Sequence, residues 1–274
     1  MSFTPIEWTH PPGFEGETWN PTLGCSKRSP GCKHCYAIRS VWRMAHHPNA
    51  KIAAANAGLV VLDSGGALNW SGRVNAIEER LEIPLRRHRP TCWFVNSLSD
   101  LFHPQVPAEF IFRVFDVMRA CPWHRFIILT KHAGRMYELL VDSEPIPGVC
   151  LGVSAENQKW WDVRVPFLRA TPAWRRVVSC EPLLGHIGIS GSDVEPKIHQ
   201  IIWGGESGAG ARACELAWIR SGIEQCRRLR IAAFVKQFGS HPTIGGTPTF
   251  LRSRKGGEPS EWPEDCRVRE YPHV

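Results

Sequence analysis

This sequence predicts an α/β fold: a partial or full (β/α) barrel of about six to eight parallel strands. Three observations carry that expectation. Short apolar runs alternate with helical patterns, which is how a parallel sheet reads in sequence. The runs are apolar along their whole length, as strands buried on both faces must be. Seven such repeats occupy most of the 274 residues, which suits one barrel better than two domains. A doubly wound parallel sheet is the alternative.

The strands are taken in order. The first falls near residues 18–23. Those at 92–96, 126–130, 149–153, 176–180, 200–203 and 231–236 are each brief and end in polar residues or glycine. Between them, Phe110, Ile111, Val114, Val117 and Met118 form an apolar stripe within 107–120. Leu216, Ile219, Ile223 and Cys226 form another within 214–229. Less regular helical patterns cover 35–46, 133–141 and 157–169. Residues 49–89 break the alternation and read as an insertion between the first two strands. Residues 1–244 are therefore assigned to the barrel. Residues 245–274, rich in Gly, Pro and charge, read as an extended C-terminal arm.

Composition narrows the function classes. Lys and Arg number 33 against 26 Asp and Glu, a net charge of +7 that permits an anionic partner without demanding one. No apolar run approaches the roughly 18 residues of a membrane span. The opening Met1-Ser2-Phe3-Thr4-Pro5-Ile6-Glu7-Trp8 lacks the basic and apolar regions of a secretory signal, so a cytoplasmic location is expected. In a reducing compartment, cysteines serve metals or catalysis more often than disulfides.

The 10 cysteines divide sharply. Cys92, Cys121, Cys150, Cys180, Cys214, Cys226 and Cys266 are scattered, and the first four lie in or beside apolar segments, where a thiol is a small buried hydrophobe. Cys25, Cys32 and Cys35 instead fall close together in a C-x6-C-x2-C pattern. Gly24, Pro30 and Gly31 make that segment a loop, which can wrap its thiolates around one centre.

Catalytic groups of such folds sit on loops after the C-terminal ends of strands. Those loops are polar here: Asn96-Ser97-Leu98-Ser99-Asp100, Lys131-His132, Ser154-Ala155-Glu156-Asn157, Glu181-Pro182, Gly204-Gly205-Glu206 and Lys236-Gln237. Each alone reads as helix capping. Together they form one polar rim, onto which the cysteine loop also opens.

Three chemistries compete for the thiols. Structural zinc prefers four ligands, and His34 is the only nearby fourth. A Cys32–Cys35 dithiol leaves Cys25 idle. A [4Fe-4S] cluster on three cysteines leaves one iron open to a ligand.

At this point the loop, placed after the first strand of a (β/α) barrel, resembles the radical S-adenosylmethionine (SAM) superfamily. The continuation Cys35-Tyr36-Ala37 looks like its spore photoproduct lyase branch. The first gap is six residues here, where the superfamily usually has three. The segments Thr18-Trp19-Asn20-Pro21, Ser29-Pro30-Gly31-Cys32, Phe94-Val95-Asn96-Ser97-Leu98-Ser99-Asp100, Glu181-Pro182-Leu183-Leu184-Gly185, Gly204-Gly205-Glu206-Ser207-Gly208 and Trp262-Pro263-Glu264-Asp265 further resemble a phage-associated three-cysteine-motif family of phages and bacteria.

The resemblance implies a bacterial or phage-infected host cytoplasm, a [4Fe-4S] cluster on Cys25, Cys32 and Cys35, SAM on the open iron, and an external electron donor. It implies reductive cleavage of SAM to a 5′-deoxyadenosyl radical that abstracts a hydrogen atom. Tyr36 would pack near the adenine. Gly204, Gly205 and Glu206 resemble the motif that contacts the methionyl amino group. That motif usually follows the second strand, whereas here it follows about the sixth. Gly204 and Gly205 read equally well as a turn of close backbone approach. By position, Asn96, Ser97 and Asp100 suit the methionyl end, and Ser154, Glu156 and Asn157 suit the ribose. Cys180, Lys131 and Lys236 stand at strand ends as candidate catalytic side chains.

For substrate, Arg86-Arg87-His88-Arg89 is a basic run, and Trp160, Trp161, Arg164, Arg169, Trp174, Arg175 and Arg176 interleave aromatics with cations. That interleaving fits phosphate contact with base stacking, hence a nucleic acid or nucleotide. It fits a solvated helix face over core tryptophans as well. The reading from a different class is a non-catalytic nucleic-acid-binding protein with structural zinc or iron–sulfur.

Overall fold

In a computed structural model that describes residues 4–195 and 197–272, seven strands form one sheet. They are β1 (Glu15–Trp19), β2 (Thr91–Val95), β3 (Arg125–Thr130), β4 (Val149–Ser154), β5 (Arg175–Cys180), β6 (Gln200–Gly204) and β7 (Ala232–Gln237). All neighbours are parallel, and spatial order follows chain order from β1 to β7. A doubly wound sheet would reverse that order part-way. The sheet curls into a half-barrel instead, open between β1 and β7.

The helices are α1 (Tyr36–Ala45), α2 (Ala50–Asn56), α3 (Ala108–Arg119), α4 (Ala133–Leu140), α5 (Gln158–Ala170) and α6 (Leu216–Leu229). The expected stripes are their buried faces: Phe110, Ile111, Val114 and Met118 on α3, and Leu216, Ile219, Ile223 and Cys226 on α6. The strand pleat sorts side chains into two layers. Val95, Ile128, Val153, Val178, Ile201 and Val235 join the core under the helices. Phe94, Ile127, Cys150, Val177, Ile202 and Phe234 point into the concave interior, where they meet Trp8.

The first strand corrects the expected 18–23. It is Glu15–Trp19, and Thr22–Leu23 leaves the sheet to pair antiparallel with Asn75–Ala76. Pro21 explains the break, because it has no N–H for the ladder and restricts Asn20 before it. Residues 49–89 hold α2 and the Val60–Leu62/Leu68–Trp70 hairpin. Leu59, Val60 and Trp70 pack there with Ala37, Ile38 and Val41 of α1 into a small separate core.

The N-terminal turn and the C-terminal arm meet at the open side. The turn Glu7–Thr9 touches β1, β2 and β7. Past Gly245, Thr247–Pro248 pairs with Pro242–Ile244. The chain then returns beside β7, where Val235 N–H donates to Val268 at 2.8 Å and Glu270 N–H to Ala233 at 2.8 Å. Trp262 stacks on Phe238 with centroids 4.8 Å apart and donates to the Gly256 carbonyl. The Tyr271 hydroxyl donates to the Glu7 carbonyl at 3.0 Å, tying the two ends together.

Because Trp262 is fully buried, Trp262→Ala is expected to cost about 3–5 kcal/mol. Urea unfolding of the full chain checks this; a loss below about 1 kcal/mol would mean that the arm packs independently of β7.

Candidate functional site

The segment between β1 and α1 crosses the mouth of the half-barrel. Gly24 adopts φ +91°, and a side chain there would strike the Arg73 carbonyl. Pro30–Cys32 forms a single 3-10 turn, and Cys35 precedes the first turn of α1. The loop is then pinned to successive rim loops. Ser26 Oγ lies 2.9 Å from His103 Nε2. Gly31 N–H donates to Glu156 at 2.9 Å. His34 Nδ1 lies 3.2 Å from a Glu206 oxygen. The Tyr36 hydroxyl donates to the Ser97 carbonyl at 2.7 Å.

Under the loop lies a cavity of about 560 Å³ at the C-terminal ends of the strands. Cys25, Cys32 and Cys35 line it, with Trp8, Phe94 and Leu129 among its apolar surfaces. Tyr36, Asn96, Ser97, Asp100, Lys131, Ser154, Gly205, Glu206 and Lys236 are also on its walls. Most of the expected rim therefore converges on one space.

Several expected roles are changed by what the side chains already hold. Glu156 has no exposure and does not line the cavity. Its oxygens accept from Gly31 N–H and from Arg164 at 3.0 Å, so it braces the cysteine loop from beneath. Asn157 caps α5 by accepting from Trp160 N–H. Of the expected ribose set, only Ser154 reaches the cavity. Asp100 accepts from Thr130 Oγ1 at 2.6 Å, Lys131 N–H at 2.9 Å and Phe102 N–H at 3.0 Å. Asn96 sits at φ 59° and bonds Thr22 through its amide. Ser97 Oγ pairs with Asn20.

Cys180 is turned away from the cavity. The pleat sends Ser179 inward and Cys180 outward, under the helices beside Cys226. Burial, then the Cys226 and Glu181 charges, raises its thiol well above the ordinary range. All seven scattered cysteines are buried and free.

The two glycines are close-approach positions. A Cβ on Gly205 would lie 2.1 Å from the Phe238 carbonyl oxygen, and one on Gly204 would lie 2.7 Å from Glu181 Oε1. That space lets Glu181 reach past β6 to Lys236 at 2.9 Å. Glu206 is held by Arg212 through its backbone N–H at 3.0 Å, Nε at 2.8 Å and Nη2, with His34 on the same carboxylate. Burial pushes Glu206 up, but the hydrogen bonds and charge of Arg212, then His34, outweigh it and leave the pKa below the carboxylate norm.

His103 accepts Gln105 N–H on Nδ1, which puts its proton on Nε2 toward Ser26. It therefore cannot serve Ser26 as a base in that state.

The thiols share the cavity without converging on a point. Among the described residues, no three His, Cys, Asp or Glu side chains are grouped to hold a single metal ion. Burial raises the Cys25 thiol, and the charges of Asp100, Cys35 and Cys32 raise it further. Cys35 is raised by burial, against the Ala37 N–H and Lys131. The donors on this loop are all thiols, the ligand type of both zinc and iron–sulfur sites.

The basic and aromatic segments are not brought to the cavity. Arg87 pairs with Glu15 and Glu17, and Arg89 with Glu15, at the N-terminal ends of β1 and β2. Trp174 lies between Arg125 and Arg175 at that same end. Trp161 is core, Arg164 is buried against Trp160, and Arg169 and Arg176 donate to backbone carbonyls.

Residues 3–259 match the family described as protein of unknown function, DUF5131. The chain belongs to the DUF5131 family. No curated protein and no solved structure matches it. In this DUF5131 chain, sequence reading placed Glu181 on the rim and missed the Thr4–Trp8 segment and Lys255 as cavity walls. Their partners lie far off in sequence, as with Glu7 and Lys255 at 2.7 Å. No helix among the described residues is long and apolar enough to cross a membrane.

A carboxylate with a lowered folded pKa stabilises above its unfolded pKa, near 4.3 for glutamate, and loses that contribution as pH falls through the folded value. Glu206 should therefore make the DUF5131 chain less stable on acidification below about pH 4.5. Glu206→Gln is expected to flatten that part of a stability-against-pH curve; an unchanged slope would remove Glu206 as the source.

Proposed function

We propose that this chain is a radical-SAM-like enzyme acting on a nucleotide or nucleic acid. The observation that carries this reading is the seating of Cys25, Cys32 and Cys35 on one loop over a 560 Å³ cavity at the C-terminal mouth of a parallel half-barrel. The resemblance to the superfamily, and to the phage-associated three-cysteine family, supports it further.

The three cysteines would hold a [4Fe-4S] cluster, which when bound would pass an electron from an external donor to SAM for its reductive cleavage. The chain's own residues do the rest. Glu156 and Glu206 fix the loop's height above the sheet through Gly31 and His34. Asn96 and Asp100, held by their own hydrogen bonds, keep the β2 rim rigid beside Cys25. Trp8 and Phe94 exclude water from below. Ser154 is the remaining candidate for a ribose hydroxyl, and Tyr36, an exposed residue on the cavity wall with its hydroxyl tied to Ser97, is the candidate to stack on a base. Lys236, paired with Glu181, is the candidate proton-handling side chain.

Purified without oxygen, the chain is expected to be brown, absorb at about 400 nm and carry about four irons. Cys25→Ala, Cys32→Ala and Cys35→Ala should each lower iron content, while Cys180→Ala should leave it. Dithionite with SAM should then release 5′-deoxyadenosine. A colourless protein with one zinc per chain would instead support the non-catalytic binding protein.

A further inference from the structure

We propose that the wall of the cavity formed by Arg28, Lys131 and His132 is a phosphate-binding site for the substrate. The inference rests on the nucleotide reading above and places the anionic part of that substrate.

Charge accounting leads to it. The carboxylates on and under the cavity walls have cations of their own: Glu156 has Arg164, Glu181 has Lys236, Glu206 has Arg212 and Glu7 has Lys255. Asp100 is engaged by three donors. Arg28 and Lys131 also line the cavity, and among the described residues neither enters an ion pair. Arg135 spends its guanidinium on the carbonyls of Phe102, His103 and Val106 and adds positive charge near His132. The wall carries more positive charge than Asp100 balances, and Lys131 also faces the Cys35 sulfur.

Two further observations fall on the same spot. His132 lines the cavity at 8% exposure, and its Nε2 is buried without a hydrogen-bond partner. An unpaired buried imidazole nitrogen costs free energy unless something occupies it. His132 is also the residue before α4, an eight-residue helix whose first turn has no side-chain cap. The dipole of that N-terminus adds positive potential at His132, while Ala133, Gly134 and Arg135, which carry its free N–H groups, lie outside the cavity lining.

The donor set selects the anion. A guanidinium and an ammonium beside an imidazole carry two positive charges, which matches a doubly charged phosphate better than a singly charged carboxylate. The phosphate of a free nucleotide and the phosphodiester of a nucleic acid share this chemistry.

The test uses the full chain, as purified and after iron reconstitution, titrated calorimetrically at low salt with a nucleoside 5′-monophosphate, its parent nucleoside, a short single-stranded oligonucleotide and inorganic phosphate. The monophosphate should bind at least about tenfold tighter than the nucleoside, and inorganic phosphate should compete with it. Tighter binding of the oligonucleotide would identify the phosphodiester as the source. Lys131→Met and Arg28→Gln should each weaken the monophosphate about tenfold while leaving the nucleoside unchanged. His132→Gln, which keeps a donor, should bind better than His132→Leu. Equal binding of nucleotide and nucleoside, absence of nucleotide binding, or variants as tight as the parent would overturn the proposal. So would displacement of inorganic phosphate by SAM, which would give the wall to the SAM carboxylate. Iron content, measured on the same samples, reports separately on the cluster.

Discussion

Glu156 has no exposure to solvent, and the cysteine loop depends on how its charge is met. Arg164, itself buried, supplies the counter-charge from α5, and the Gly31 N–H supplies a hydrogen bond from the loop. One carboxylate thus joins three separate parts of the chain: the end of β4, a core-facing helix and the turn that carries Cys32. Removing one partner of such a buried pair costs about 3–5 kcal/mol, because the other charge is left without compensation. Gly31 is close-packed on this anchor; a Cβ there would lie 3.1 Å from the Glu156 carboxyl. The second anchor, His34 to Glu206 to Arg212, repeats the arrangement across the mouth at β6. The loop is therefore a strap fixed at the centre of the sheet and again near its β7 edge.

The half-barrel supplies what the strap needs. Parallel strands in sequential order put every βα loop at one end, so residues from 25 to 237 meet around a single cavity. A half-closed sheet has two exposed edges, which in isolation would invite pairing with another chain. The N-terminal turn and the C-terminal arm cover that opening together. The arm lies along β7, the turn touches β1 and β7, and the Tyr271 hydroxyl joins them. The chain's two ends thereby become walls of the same cavity, through Glu7, Trp8 and Lys255.

Much of this was legible in the residues. Six strands and the two clear helical stripes fall within a residue or two of their expected positions, because full burial forces continuous apolar runs and amphipathic spacing. The grouping of Cys25, Cys32 and Cys35 with the polar rim was legible too, since strand ends in such a sheet share one face. Individual roles were not. Glu156 and Asn157 sit at the end of a strand, where a ligand-binding residue would also sit. Only their partners, Gly31, Arg164 and Trp160, reveal a brace and a cap. Cys180 and Ser179 differ by one position, and the pleat sends them to opposite layers. The first strand was misplaced because Thr22–Leu23 is as apolar as a core strand, while Pro21 had already ended the ladder.

The sequence by itself determined the α/β class, the parallel sheet and the separation of three loop cysteines from seven packed ones. These follow from local period and spacing, which need no knowledge of what touches what. Tertiary structure decided half-barrel over doubly wound sheet, because that depends on which side of the sheet each new strand joins. It decided which rim carboxylates are spent, because Arg164, Arg212 and Lys236 reach them from other elements. It also decided which cations are left without a carboxylate partner, Arg28 and Lys131, since that appears only after the neighbouring ion pairs have been formed.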